Sequence, residues 1–98
     1  MCSYLTVRTG VQGSAKGPDG WFRLSHATVY FDHPFHAPLD HALNIDFVDE
    51  AAGPSARVAV ELSADSARAL VRCIQDALAA AGPAAGPAAG REEQARAS

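Results

Sequence analysis

The sequence predicts an α+β fold, a four-stranded antiparallel sheet followed by one C-terminal helix in the order β-β-β-β-α. Three observations carry this. Four stretches alternate apolar and polar residues with the period of a half-buried strand, at 3–8, 22–31, 41–48 and 56–62. One later stretch, 63–81, repeats its apolar residues at helical spacing. The segments between them carry the Gly and Pro residues that turn a chain.

In the first strand Leu5 and Val7 share one face and Tyr4, Thr6 and Arg8 the other. Thr9 to Gly20 holds Gly10, Gly13, Gly17 and Gly20 with Pro18, and so reads as a long connecting loop. The second strand places Ala27, Val29 and Phe31 opposite His26, Thr28 and Tyr30. Pro34 and Pro38 lack ladder donors and end it, and the third strand then turns Leu43, Ile45 and Phe47 to the core. A turn at Ala51 to Pro54 leads to the fourth strand, with Val58, Val60 and Leu62 inward. Ser63 is placed to cap the helix, and Asp65 suits its positive end. Ala67, Leu70, Val71, Ile74 and Leu78 form a stripe able to cover the face of Leu5, Val29, Ile45 and Val60. Gly82-Pro83 stops the helix. Residues 1–81 are thus expected to form a single domain, and 82–98, with the repeat GPAAGPAAG and no large apolar residue, a disordered tail.

A chain of 98 residues with a net charge of −3 bounds the function. A core of roughly 80 residues is marginal alone, which favours a homo-oligomer, a dimer or larger. The eight Lys and Arg residues are scattered, so nucleic acid is not an expected partner. No apolar run approaches the roughly 18 residues of a membrane span, and no signal peptide is evident, so a cytoplasmic protein without membrane contact is expected. Cys2 and Cys73 have neither disulfide nor metal-finger spacing.

Two groups of residues have chemical potential. Between Asp32 and His41 lie three of the four histidines, His33, His36 and His41, with Asp32 and Asp40. Imidazole and carboxylate are ordinary ligands of zinc and iron, so a metal site is the leading expectation. In the bland alternative, His33 and His36 are polar loop residues and His41 closes the edge of the core. The second group arises when the strands are folded together. The polar sheet face collects Arg8, His26, Tyr30, Asp46, Arg57 and Glu61, with His26, Tyr30 and Asp46 equipped for metal-free proton transfer on a bound small molecule. A subunit interface would use the same residue types. The glycine-rich stretch is not a phosphate-binding loop, because Lys16 follows Ser14 instead of preceding a Ser or Thr.

On the strings MCSYLT, GSAKG, GWF, HATVYFDHPFHAP and DHALNIDF, the chain resembles a family of short actinobacterial proteins of unknown function over about residues 1–80. The resemblance implies no activity, cofactor or catalytic position.

Overall fold

The computed structural model describes residues 5–86; Cys2 and Tyr4 of the sequence reading lie outside this span, as do residues 87–98. Four antiparallel strands, β1 (Thr6–Gly17), β2 (Gly20–Asp32), β3 (Ala42–Val48) and β4 (Arg57–Leu62), form one open sheet in the spatial order β1-β2-β3-β4. The helix α1 (Ala64–Ala81) follows directly, and a 3₁₀ turn occupies Gly82–Ala85. The fold is α+β, as the alternating and helical periods predict. The chain divides into a sheet unit ending at Ala64 and a helical unit starting at Asp65. Within α1 the apolar residues 67, 70, 71, 74 and 78 recur as expected, and an ion pair of Asp65 with Arg68 joins successive positions of its first turns.

The register confirms the division of the sheet into faces. Val7, Val29, Ile45 and Val60 form one cross-strand row, and Thr9, Ala27, Phe47 and Val58 another, on the apolar face. On the opposite face Thr6, Tyr30, Asn44 and Glu61 align, beside the row Arg8, Thr28, Asp46 and Ala59. Burial is not confined to the apolar face. Ala27 is buried there, but Leu5 is exposed, and the most deeply buried residues are Ala42 and Asn44 on the polar face, 0% and 3% exposed.

One element departs from expectation. Thr9 to Gly20 is not a loop: β1 runs on to Gly17, and Pro18-Asp19 makes a tight turn into β2. The glycines that suggest a break are accommodated within the ladder. Between Gly10 and Gly13 the register shifts, so that Val11 and Gln12 together face Ser25 in a β-bulge. Gly17 lies beneath the ring of Phe22, where an added Cβ would meet Cε1 at 3.3 Å, and the ring covers backbone that glycine leaves bare. Gly20 closes the turn at φ 114°, with open space around it. Gly20→Ala should therefore cost about 1–2 kcal/mol through backbone strain alone; an unchanged denaturation midpoint would show that the turn has another geometry.

The β3–β4 connection is equally ordered. Asp49, buried, accepts from the Ala51 N–H and caps a 3₁₀ turn over Glu50–Ala52, and its own N–H donates to the Ala56 carbonyl. This turn carries Glu50 back toward the polar face.

Candidate functional site

On the polar face, charge is paired inside the sheet. Arg57 reaches diagonally across the β3–β4 pair, and its Nε and Nη2 donate to Asp46 Oδ1 at 3.1 and 2.8 Å. Arg8 is paired with Glu50, and the same carboxylate lies 3.3 Å from His26 Nδ1, which also contacts Ser25 Oγ at 3.0 Å. The Ser25 hydroxyl in turn accepts from the Glu50 N–H. Tyr30 sits one row away from Asp46. Burial pushes its phenol above the ordinary range and the Asp46 carboxylate adds to this, partly offset by Arg57, so the hydroxyl stays protonated at neutral pH.

The residues expected to carry proton transfer thus share one face but not one point. His26 and Tyr30 lie four positions apart on β2, roughly 13 Å along the strand. Asp46, between them, is held by Arg57. The arrangement suits recognition of a polar molecule better than concerted acid–base work on a single atom.

The segment joining β2 to β3 separates the predicted metal ligands into two places. At one, His41 stacks on Phe31, with centroids 5.8 Å apart, and on His33 at 4.6 Å. His33 Nδ1 lies 3.0 Å from the Asp40 carbonyl, its N–H donates to Asp32 Oδ1 at 2.7 Å, and the Asp40 carboxylate is 3.3 Å from His41 Nδ1. His33, His41, Asp40 and Asp32 therefore meet in one corner. His36 is elsewhere, on the cleft described next. Among the described residues no three His, Cys, Asp or Glu side chains are arranged to hold a metal ion.

At the second place the backbone of 35–37 wraps the carboxylate of Glu61. Phe35 N–H donates to Oε2 at 2.5 Å, Ala37 N–H to Oε1 at 2.7 Å, and His36 N–H is 3.1 Å from Oε1 and 3.3 Å from Oε2. Three successive amides aimed at one carboxylate make a backbone nest. These hydrogen bonds, that of Ala37 foremost and then that of Phe35, hold the Glu61 carboxyl below its ordinary value, with a smaller contribution from the His36 charge. The sign follows from linkage. A carboxyl lowered in the folded state adds stability above its unfolded value, and that stability is lost as pH falls through the lowered value. Glu61→Gln should accordingly flatten the acid limb of the melting temperature against pH; an acid limb identical to wild type would show that the nest bonds do not persist in solution.

Beside this nest is a shallow cleft of about 580 Å³, lined by Phe35, His36, Ala37, Arg57, Ala59 and Glu61. Phe35, one of the lining residues, is 88% exposed. No sequence signal marks Phe35 or Ala37, because backbone amides have no residue-type signature and their partner is 24 to 26 positions away.

Comparison with known proteins places the chain. Residues 1–87 match the Family of unknown function (DUF6295). The chain belongs to this family. Membership brings no activity or site residue with it. No curated protein and no solved structure matches the chain. In this DUF6295 chain no helix among the described residues is long and apolar enough to cross a membrane.

Proposed function

We propose that the protein is a small-molecule-binding module, and that its ligand is a planar or aromatic compound taken into the cleft between the 33–41 segment and β4. The observation that carries this reading is a cleft lined both by the exposed Phe35 and by Arg57. A large exposed aromatic side chain beside a planar cation provides two surfaces for stacking. The cleft volume of about 580 Å³ lies within the usual range for such ligands. Asp46 accepts two hydrogen bonds from the Arg57 guanidinium and so fixes its orientation.

Titration with benzamide, followed by amide NMR, tests the reading. Saturable shifts should be confined to 35–37 and 57–61, and Phe35→Ala should weaken them several-fold. Shifts scattered over the surface, or none at low-millimolar ligand, would overturn it.

A second reading rests on the ring stack. His33 and His41 stack at 4.6 Å with the Asp40 carboxylate beside His41, residue types that ligate zinc or iron, although as placed these side chains do not converge on one ion and would have to turn to do so. Loading would require His33 to give up its contact with the Asp40 carbonyl. Because the ligands must be deprotonated, zinc should raise the melting temperature at about pH 7.5 and do so less at about pH 5.5. His33→Ala should remove the effect and His36→Ala should keep it. A melting temperature indifferent to zinc in the unmodified protein rules this reading out.

A further inference from the structure

We infer that the cleft selects organic carboxylates, and that it admits them by exchange: the ligand's carboxylate takes the place of Glu61 on the backbone amides of Phe35, His36 and Ala37. This deepens the small-molecule reading and rests on it.

The geometry of the nest names the ligand class. Phe35 N–H addresses one oxygen of the Glu61 carboxylate, Ala37 N–H the other, and His36 N–H lies within 3.3 Å of both. That is a site for a flat, two-oxygen anion, and the chain's own side chain shows that a carboxylate fits it. Both sides of the exchange are accessible. Phe35 and His36 are exposed, and the nest opens onto the cleft that Arg57 lines. A ligand whose ring rests on Phe35 thus has donors for its acid group at the same amides, with Arg57 lining the same cleft.

Glu61 itself is what makes exchange necessary. Left in place, its negative charge would repel an incoming acid. Tethered to β4, it also competes as an intramolecular ligand, at an effective concentration in the millimolar range or above. Displaced, it moves into water, where a carboxylate is fully solvated, so the nest again holds one carboxylate and no amide is stranded. The alternative is that Glu61 is a permanent pin, holding the 33–41 segment to the edge strand and never leaving.

Benzoate and benzamide, titrated against wild type and Glu61→Ala with amide NMR as readout, separate these cases. With the internal competitor gone, benzoate should bind Glu61→Ala about tenfold more tightly or better, moving the amide signals of 35–37, while benzamide, which brings no carboxylate, should gain clearly less. Acetate alone should restore the wild-type positions of those signals in the variant. Equal benzoate affinity in the two proteins, or benzoate binding without movement of 35–37, would overturn the exchange. If Glu61→Ala loses the ordered segment altogether, Glu61→Gln supplies the test, since a neutral amide oxygen still accepts from the nest: benzoate should gain less than about tenfold but measurably, and no gain overturns the proposal. Benzamide binding in the cleft while benzoate fails in every variant defeats the exchange and leaves the small-molecule reading standing. Failure of both compounds defeats the two together.

Discussion

Ala42→Leu is expected to destabilise the sheet unit by about 1–3 kcal/mol, the range for forcing extra methylenes into a filled site. Ala42 opens β3 and is 0% exposed, although it lies on the polar face. Its neighbour on that face, Asn44, is 3% exposed, donates to the Ala42 carbonyl at 3.0 Å, and pairs across to Glu61 of β4. Glu61 in turn holds the backbone of 35–37. The segment that forms the nest, tied to the same face through Glu61, is expected to close the space above Ala42, so that a leucine there must push it away. Chemical denaturation gives the loss directly, and the 35–37 amide signals should shift with it. A loss below about 0.5 kcal/mol, the range of an indifferent surface change, would mean that the segment does not close over this position.

Arg57→Ala should have a comparable effect for a different reason. Its guanidinium donates two hydrogen bonds to a single oxygen of Asp46, whose side chain is 20% exposed. Removing the cation leaves a mostly buried carboxylate without its counter-charge, a cost of about 1–3 kcal/mol. The pair itself contributes less than this, because Arg57 is half-exposed and water screens it. Asp46→Asn in the Arg57→Ala background should therefore recover part of the loss. A double variant no more stable than Arg57→Ala would show that the cost comes from lost packing of the arginine stem. Arg57→Ala should also weaken benzamide binding, whereas Asp46→Asn alone, which keeps the guanidinium, should weaken it less.

Much of this architecture is legible from alternation alone. β3, β4 and α1 each begin within one residue of their expected starts, because each combines an unambiguous period with a Pro, Gly or Ser boundary. The same parity puts His26, Tyr30, Asp46, Arg57 and Glu61 on one face, since the strands are joined as consecutive hairpins. The glycine-rich stretch misleads because glycine within a strand looks the same in sequence as glycine that breaks one. Its tightest signal, Pro18-Asp19-Gly20, is a turn between paired strands, and Phe22 supplies the cover that Gly17 lacks. The metal expectation rests on closeness in sequence, which is only partly closeness in space. His33 and His41 do meet, through a stack that also takes in Phe31, but the intervening backbone commits itself to Glu61 and leaves His36 on the cleft. That capture depends on main-chain donors, and no residue pattern announces it.

The strand order has a further consequence, for how the molecule comes to be folded. Every strand pairs with its neighbour in the chain, so the sheet can assemble as three successive hairpins with no crossover to thread. Chain-closure entropy grows slowly with loop length, and none of these closures spans a distant part of the sequence. The tight Pro18-Asp19 turn gives β1 and β2 the easiest start, with the bulge at Val11-Gln12 registering the ladder as it grows. The 33–41 segment has the longest gap to close, and the contacts that order it, to Glu61, exist only once β4 has arrived. The nest and the cleft are therefore expected to be the last parts of the sheet unit to form and the first to open.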